Sequence, residues 1–294
     1  MLKFNYADSN YGQVHYAKVG TGPTLVLLPG SSRSYTQFLP LISYLKDYFE
    51  IIAIDTLGFG ASAPFPANGD FETLAQSVIA VLDALQIEKT HVFGMHTGHK
   101  VAAVLASKWP DRVDRVIFAG KSHSMIPNQT KRNNAILERI KGRTFISDLS
   151  KTTVGIGMGE WAKSFKSVSQ IWWHEDLFKQ PPSDQFITSI RHRVIDELTA
   201  MPSTGPIYAA NFLFDFEKAV SNVKAKTLII EVTHPSEDAS YGRQAQTLCD
   251  RMTNAQFVEL PSVDEVGLGC NADPHEMAMH TIHFLNLKEN RLEK

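Results

Sequence analysis

Cysteine is scarce in this chain, which has only Cys249 and Cys270 among its 294 residues. Two cysteines cannot build a disulfide framework, and their spacing matches no zinc-binding pair. Basic and acidic residues nearly balance, 29 against 31, so the sequence has no electrostatic footprint for nucleic acid. We therefore expect neither a disulfide-stabilised fold nor a nucleic-acid partner.

Long apolar runs are also lacking, and none approaches the roughly 20 residues that a helix needs to span a bilayer. The chain starts with MLKFNYADSN, which lacks the basic segment and the following apolar segment of a signal peptide. These two absences predict a cytoplasmic protein with no membrane partner.

Short apolar segments alternate with helical segments through most of the chain. Buried strands are predicted at TLVLL, IIAID, HVFG, RVIFAG and TLIIEV, and FETLAQSVIAVLDALQI has the spacing of an amphipathic helix. Two earlier strands, LKFNYA and QVHYAKV, are predicted to form a hairpin. The alternation predicts an α/β fold with a mostly parallel twisted sheet and helices on both of its faces.

The alternation stops between about residues 121 and 215, where helical spacing continues without a buried strand. This segment is interpreted as a helical insertion over the sheet rather than as an independent domain. We therefore predict an α/β core at residues 1–120 and 216–294, with residues 121–215 inserted as a helical cap.

Residues 94–98 read GMHTG and lie where a predicted strand gives way to a predicted helix. A sharp turn at that point requires small residues, and Gly94 and Gly98 supply them. The turn would project the residue between the glycines, His96, away from the backbone.

Five landmarks follow one another over nearly the whole chain: LVLLPG, DTLGFGASAP, GMHTG, KWPDRVDRVIFAG and FVELPSVDEVG. With them the chain resembles the α/β-hydrolase fold family, and in particular its members with a helical cap inserted after the sixth strand. The resemblance implies the α/β-hydrolase fold. It also implies an active site around GMHTG, where the family's G-x-S-x-G motif carries a nucleophilic serine.

A competing motif lies at residues 58–63, where GFGASA satisfies a dinucleotide-binding pattern. That pattern requires a helix to begin at once, whereas Pro64 and Pro66 follow it here. We therefore expect no dinucleotide, and we predict a site without a cofactor or a metal.

The chain departs from the family at the catalytic triad. His96 stands where the family has its serine, and LPSVDE places Glu265 where the family has its histidine. The family's acid would fall within THPSED, where His234, Glu237 and Asp238 are candidates of uncertain register. The predicted catalytic residues are His96, Glu265 and, for the acid, Asp238.

The remaining predicted site residues surround that centre. The resemblance assigns the oxyanion hole to the backbone amides of Ser31 and Thr97, which a change of side chain at position 96 does not remove. Ser122 and His123 follow the sixth strand at the edge of the sheet where ligands bind in open α/β folds. Trp172 and Trp173 belong to the predicted cap and could line the apolar roof of a pocket.

An imidazole beside a carboxylate is a general acid/base pair, because the carboxylate fixes the tautomer and raises the basicity of the ring. With an oxyanion hole, His96 could direct a water against a carbonyl or remove a proton from the neighbouring carbon. We predict a cofactor-free enzyme for a small ester, thioester or ketone. Hydrolysis is placed first, followed by lyase, isomerase or decarboxylase chemistry, and nucleophilic attack by His96 itself is placed last.

Loss of the serine also permits a different reading, in which the chain is a catalytically inactive homologue that binds a small ligand. In either reading the partner is a small molecule. The cap helices or a sheet edge could support a homodimer, and the sequence selects neither of them.

Overall fold

A mixed sheet forms the centre of the part of the chain that the structure describes. The computed structural model of the chain describes residues 1–126, 129–144, 184–263 and 272–286. The eight strands lie in the order β1-β2-β4-β3-β5-β6-β7-β8. The β1–β2 and β2–β4 pairs are antiparallel and all other pairs are parallel. The strands are β1 Lys3–Ser9, β2 Gly12–Val19, β3 Thr24–Leu28, β4 Glu50–Ile54, β5 Thr90–Met95, β6 Val113–Ala119, β7 Lys226–Thr233 and β8 Ala255–Pro261.

Helices follow most of the parallel strands and cover both faces of the sheet. In the described ranges they are α1 Leu39–Leu45, α2 Phe71–Ala84, α3 Thr97–Lys108, α4 Thr130–Thr144, α5 Asp184–Leu213, α6 Phe216–Ser221, α7 Pro235–Tyr241, α8 Ala245–Asp250 and α9 Pro274–Asn286. Short 3-10 helices lie at Tyr35–Phe38, Pro110–Arg112 and His123–Met125. None of these described helices is both long and apolar enough to cross a membrane.

The core has two layers because successive residues of a strand point to opposite faces of the sheet. On β3, Val26 belongs to the layer packed against α2 and α3, whereas Leu25 and Leu27 belong to the layer packed against α1 and α9. The central strand β5 is buried along its whole length. These strands are therefore apolar on both faces, which is why they appear in the sequence as continuous apolar runs.

Local sequence signals explain where α2 begins. Asp70 is its N-cap, and its side chain accepts a hydrogen bond from the Thr73 amide at 2.8 Å. Thr73 returns the interaction to the Asp70 backbone, which completes a capping box. The ten residues between GFG and Phe71 form turns and irregular structure rather than a helix, so the helix that a dinucleotide-binding motif requires is absent from this position.

The sheet and its flanking helices confirm the predicted fold class. Helices α4 and α5 lie between β6 and β7, within the segment predicted to be the cap. The predicted boundaries of 1–120, 121–215 and 216–294 remain predictions, since residues 145–183 lie outside the described ranges.

Candidate active site

The turn between β5 and α3 places His96 at the carboxyl edge of the sheet. His96 has φ 49° and ψ −109°, a conformation that non-glycine residues rarely adopt. A Cβ at Gly98 would lie 2.0 Å from the Leu28 carbonyl oxygen, and one at Gly94 would lie 2.4 Å from the Gly98 carbonyl oxygen. Both glycines are therefore required by the close approach of neighbouring backbone, as the sequence predicted.

The imidazole of His96 rests against the end of β6. Its Nδ1 lies 3.1 Å from the carbonyl oxygen of Lys121, and its backbone amide donates to the Ala119 carbonyl oxygen at 2.9 Å. Because a carbonyl oxygen only accepts hydrogen bonds, Nδ1 must carry the proton in this contact. The neutral ring therefore has its lone pair on Nε2, an atom that is buried.

Gly120 makes this placement of the ring possible. It adopts φ +77°, and a Cβ added there would lie 2.5 Å from Cε1 of His96 and 2.8 Å from its Nε2. The imidazole edge thus lies against a bare Cα. Any larger residue at position 120 would have to displace the ring.

A buried ion-pair cluster lies directly behind the Lys121 carbonyl. The Lys121 side chain is only 3% exposed; its ammonium group donates to the Asp238 carboxylate and lies 4.0 Å from Oε1 of Glu231. Arg243 approaches the same Asp238 from the solvent side, with Nε 3.1 Å from Oδ2. Burial by itself raises the pKa of Asp238, but hydrogen bonding and charge from Lys121, with the charge of Arg243, bring that pKa below its ordinary value.

Hydrogen bonds also hold the residue after Lys121. The Ser122 amide donates to Oε1 of Gln244 at 2.6 Å, and Nε2 of Gln244 donates to the Ser122 carbonyl oxygen at 3.0 Å. Gln244 is itself placed by Glu231, whose Oε1 accepts from the Gln244 amide at 2.7 Å. All of these groups are buried, so the backbone from 120 to 122 is held from several directions.

The predicted oxyanion-hole residues lie side by side. Oγ of Ser31 and Oγ1 of Thr97 are 2.5 Å apart, which brings the loop after β3 against the first residue of α3. The Thr97 amide is at the helix N-terminus, where no intrahelical acceptor exists. In the described part of the chain the Ser31 amide donates to no other group. These features fit two amide donors, and the assignment of the hole remains a prediction.

Helix α5 holds the loop that carries Ser31. Asp196, which is 4% exposed, accepts from Oγ of Ser34 at 2.6 Å and from Oγ1 of Thr36 at 3.0 Å. The Ser34 amide is 3.3 Å from the same carboxylate. A residue of the segment predicted to be the cap therefore positions the loop of the predicted oxyanion hole.

The structure describes three of the other predicted site residues, Asp238, Ser122 and His123. Asp238 is paired with Lys121 and Arg243, so its charge is already compensated. Ser122 is 1% exposed and its hydroxyl contacts that of Ser124 at 2.9 Å. His123 begins the 3-10 helix after β6. Three predicted residues lie outside the described ranges: Glu265, Trp172 and Trp173.

Sequence reasoning missed Lys121, Glu231 and Gln244. One signal was available, because Glu231 interrupts the apolar run TLIIEV and a charged residue in a buried strand requires a partner. Its partners come from the end of β6 and the start of α8, and only the fold brings those segments together. In the described ranges, no group of three or more His, Cys, Asp or Glu side chains could hold a metal ion.

Comparison with known proteins agrees with this architecture. The family model of the alpha/beta hydrolase fold matches residues 23–153. The 3-oxoadipate enol-lactonase 2 of Acinetobacter baylyi is 29% identical over 157 residues, which are 52% of this chain and 59% of that protein. Uncharacterized hydrolase YNR064C of Saccharomyces cerevisiae is 35% identical over 108 residues, which are 36% of this chain and 37% of that protein. The chain thus matches less than two thirds of the length of either relative.

A solved structure extends the likeness to nearly the whole chain. The enol-lactonase of Burkholderia xenovorans LB400 superposes with a TM-score of 0.71 at 19% identity and covers 96% of this chain and 99% of its own. At that identity the likeness concerns the fold alone. Together with the strand order and the glycine turn at His96, these matches show that the chain has the α/β-hydrolase fold.

Proposed function

We propose that this chain is an α/β-hydrolase-family enzyme that acts on a small ester, thioester or ketone by general acid/base catalysis at His96. The observation that carries the proposal is the geometry of His96. The strained turn presents its imidazole at the edge of the sheet, and the Lys121 carbonyl holds Nδ1 at 3.1 Å. Strained backbone and a selected tautomer are typical of functional histidines, and this combination supports the proposal.

The chemistry proposed first is hydrolysis. Nε2 of His96 takes a proton from a water, the resulting hydroxide attacks the substrate carbonyl carbon, and the carbonyl π electrons move onto its oxygen. The amides of Ser31 and Thr97 stabilise that oxyanion. The tetrahedral intermediate then expels its leaving group, which receives the proton from the imidazolium, and His96 returns to its neutral form.

Two predicted carboxylates enter the proposal in different ways. With Nδ1 held by a backbone carbonyl, we propose that the Glu265 carboxylate stabilises the imidazolium by its charge. Asp238 acts through Lys121, since its contacts are with that ammonium group and with Arg243. The scheme uses no cofactor and no metal.

The name enol-lactonase, carried by two of the similar proteins, supports the choice of substrate class. A lactone is a cyclic ester, and its opening requires an activated water and an oxyanion hole. We carry over only this class of carbonyl chemistry, for a cytoplasmic protein that acts alone or as a homodimer. Trp172, Trp173, Ser122 and His123 are the residues proposed to contact the substrate.

Without a serine at position 96, the family's usual serine acyl-enzyme cannot form on that residue. Lyase, isomerase or decarboxylase chemistry follows hydrolysis in our ranking, because the same base and oxyanion hole could generate and stabilise an enolate. An acyl-imidazole on His96 is ranked last.

The test measures hydrolysis of short acyl p-nitrophenyl esters, thioesters and lactones from pH 5 to 9. The wild-type protein is compared with His96→Ala and His96→Gln, and His275→Ala serves as the matched control because His275 is exposed on α9. We expect activity that rises through a histidine-type pKa, is lost in both His96 variants and is retained in the control. Equal rates in all four proteins would refute hydrolysis at His96. A ligand-induced thermal shift without turnover would then support the binding protein instead.

A further inference from the structure

We infer that Lys121 is a positioning residue for His96, held in place by a buried set of side chains that fixes which imidazole nitrogen carries the proton. We call this set the Lys121 clamp and define it as Lys121, Asp238, Glu231 and Gln244. The inference rests on the proposed role of His96 as general base. It identifies the group that prepares that base.

The first step is that the backbone on both sides of the Lys121 carbonyl is immobilised. The Gly120 amide donates to the Ile230 carbonyl oxygen at 3.0 Å, which continues the parallel pairing of β6 with β7. One residue beyond Lys121, the Ser122 amide and carbonyl both bond to the side chain of Gln244. The peptide group between these anchors therefore has little freedom to rotate.

The second step is that the Lys121 side chain anchors the same residue through charge. Its ammonium group is buried between Asp238 on α7 and Glu231 on β7. Separating a buried ion pair leaves an uncompensated charge, so a movement of the Lys121 side chain away from its partners would be strongly destabilising. Glu231 links the two anchors, because its carboxylate also accepts from the amides of Gln244 and Ala245 at 2.7 and 3.1 Å.

The third step is what the immobilised carbonyl does to the imidazole. It accepts from Nδ1 of His96 and cannot donate, so it selects the Nδ1–H tautomer. Gly120 lets the ring approach closely enough for this contact, as its bare Cα lies against the imidazole edge. The carbonyl of Lys121 therefore favours a lone pair on Nε2, the atom on which the proposed proton transfer depends.

A purely structural role for the clamp would predict a different outcome from a positioning role. If the clamp only stabilised the join between β6, β7 and α7, its loss would lower the stability and leave the tautomer unchanged. If it positions His96, its loss must change the tautomer in protein that is still folded. The distinguishing readout is therefore spectroscopic, and it needs no substrate.

The experiment records the ¹⁵N chemical shifts of the histidine side chains above their pKa in ring-labelled full-length protein. The chain has 11 histidines, and the signals of His96 are assigned by their absence from His96→Gln. The test variants are Lys121→Met, Lys121→Arg and Asp238→Asn. Lys89→Met is the control, because Lys89 is half-exposed and pairs only loosely with Asp114 at 3.8 Å.

We expect wild-type protein and the Lys89 variant to show His96 almost entirely as the Nδ1–H tautomer. Lys121→Met and Asp238→Asn should show a mixture with the Nε2–H tautomer, and Lys121→Arg should be closer to wild type. Where hydrolysis is measurable, kcat should fall by about 10- to 100-fold. KM should change much less, because the clamp acts through His96.

The inference is overturned if wild-type His96 is mainly Nε2–H, or if folded Lys121 and Asp238 variants keep the wild-type tautomer. Should Lys121→Met fail to fold, the wild-type spectrum and that of Asp238→Asn decide the matter, since Asp238 is partly exposed and its loss is milder. The two proposals fail separately. If the Lys121 and Asp238 variants change the tautomer but the protein has no His96-dependent activity, the clamp is supported and the proposed function is refuted. If the protein has His96-dependent activity but these variants keep the wild-type tautomer, the function is supported and the clamp is refuted.

Discussion

Lys100 is buried one turn into α3, directly after the His96 turn, and its burial makes a quantitative prediction about stability. The residue is 1% exposed, and its ammonium group donates to the carbonyl oxygen of Asn211 at 3.0 Å and to the side-chain oxygen of the same residue. The rings of Phe71 and Phe214 lie 5.8 and 5.9 Å from it. Burial lowers the pKa of Lys100 from 10.5 to about 7.

The sign and size of the effect follow from proton binding in the two states. In the unfolded chain Lys100 keeps its proton up to its ordinary pKa near 10.5, whereas in the folded protein it loses the proton near pH 7. Between those values the unfolded state binds more protons, so folding stability rises with pH. The gain approaches about 1.4 kcal/mol per pH unit above pH 7, or about 2 kcal/mol between pH 7 and 9.

Lys100→Met removes this titration while keeping a long unbranched side chain. The free energy of unfolding, measured by urea denaturation at pH 6, 7, 8 and 9, should therefore rise more steeply with pH in the wild-type protein than in the variant. Below pH 7 the variant should be the more stable protein, because it no longer buries a charge. The methionine forgoes hydrogen bonds to Asn211 that contribute about 1 kcal/mol each, so the advantage should shrink or reverse toward pH 9.

Lys108→Met is the matched control, because Lys108 lies on the same helix and its side chain is 50% exposed. The free energy of unfolding of that variant should change with pH in the same way as that of the wild-type protein. Parallel curves for wild type and Lys100→Met would refute the reasoning, since they would mean that Lys100 keeps its proton in the folded protein up to its ordinary pKa.

Two further predictions concern the surroundings of His96. Gly120→Ala should abolish the activity that depends on His96, because the new Cβ would lie 2.5 Å from the imidazole. Gly242 also has a positive φ (+71°), but a Cβ there would have no atom within 4 Å, so Gly242→Ala should retain the activity. Asp196→Ala should destabilise the protein by about 1–3 kcal/mol, since the donors of the loop at 31–36 lose a buried acceptor.

The outcomes that contradict these predictions are equally specific. Equal activity in the two glycine variants would mean that the ring does not rest on Gly120. For Asp196, limited proteolysis and thermal melting should report a loosened loop, with Thr199→Ala as a control on an exposed face of the same helix. An unchanged melting temperature would mean that the Asp196 contacts make no net contribution to the stability of the protein.

Much of the fold was predictable because it depends on local patterns. Apolar runs of strand length occur where a strand is buried on both faces, and amphipathic spacing appears where a helix covers one face. The glycines of GMHTG predict a tight turn. A Cβ at Gly94 or Gly98 would clash with neighbouring backbone, so larger residues could not make this turn. The mostly parallel sheet, the helices on its faces and the position of His96 in a turn could therefore be inferred from the sequence.

The partners of His96 were not predictable in the same way. The contact at Nδ1 is made by a backbone carbonyl, and every residue has one, so no side-chain pattern marks Lys121 as the acceptor. The ion pairs of Lys121 join the end of β6 to β7 and α7, elements separated by more than a hundred residues. Asp238, predicted from its place after β7, is engaged by Lys121 because the fold packs those two segments together.

The sequence by itself determined the sheet, the helices that cover it, the glycine turn and the presence of a histidine where the α/β-hydrolase fold family carries a serine. These features depend on apolar periodicity and on the space that a glycine leaves, which are properties of neighbouring residues. Only the tertiary structure decided which nitrogen of His96 is held, which charges compensate Lys121 and how Asp196 anchors the loop of Ser31. Those contacts depend on distances between elements far apart in the chain, and such distances exist only once the core has packed.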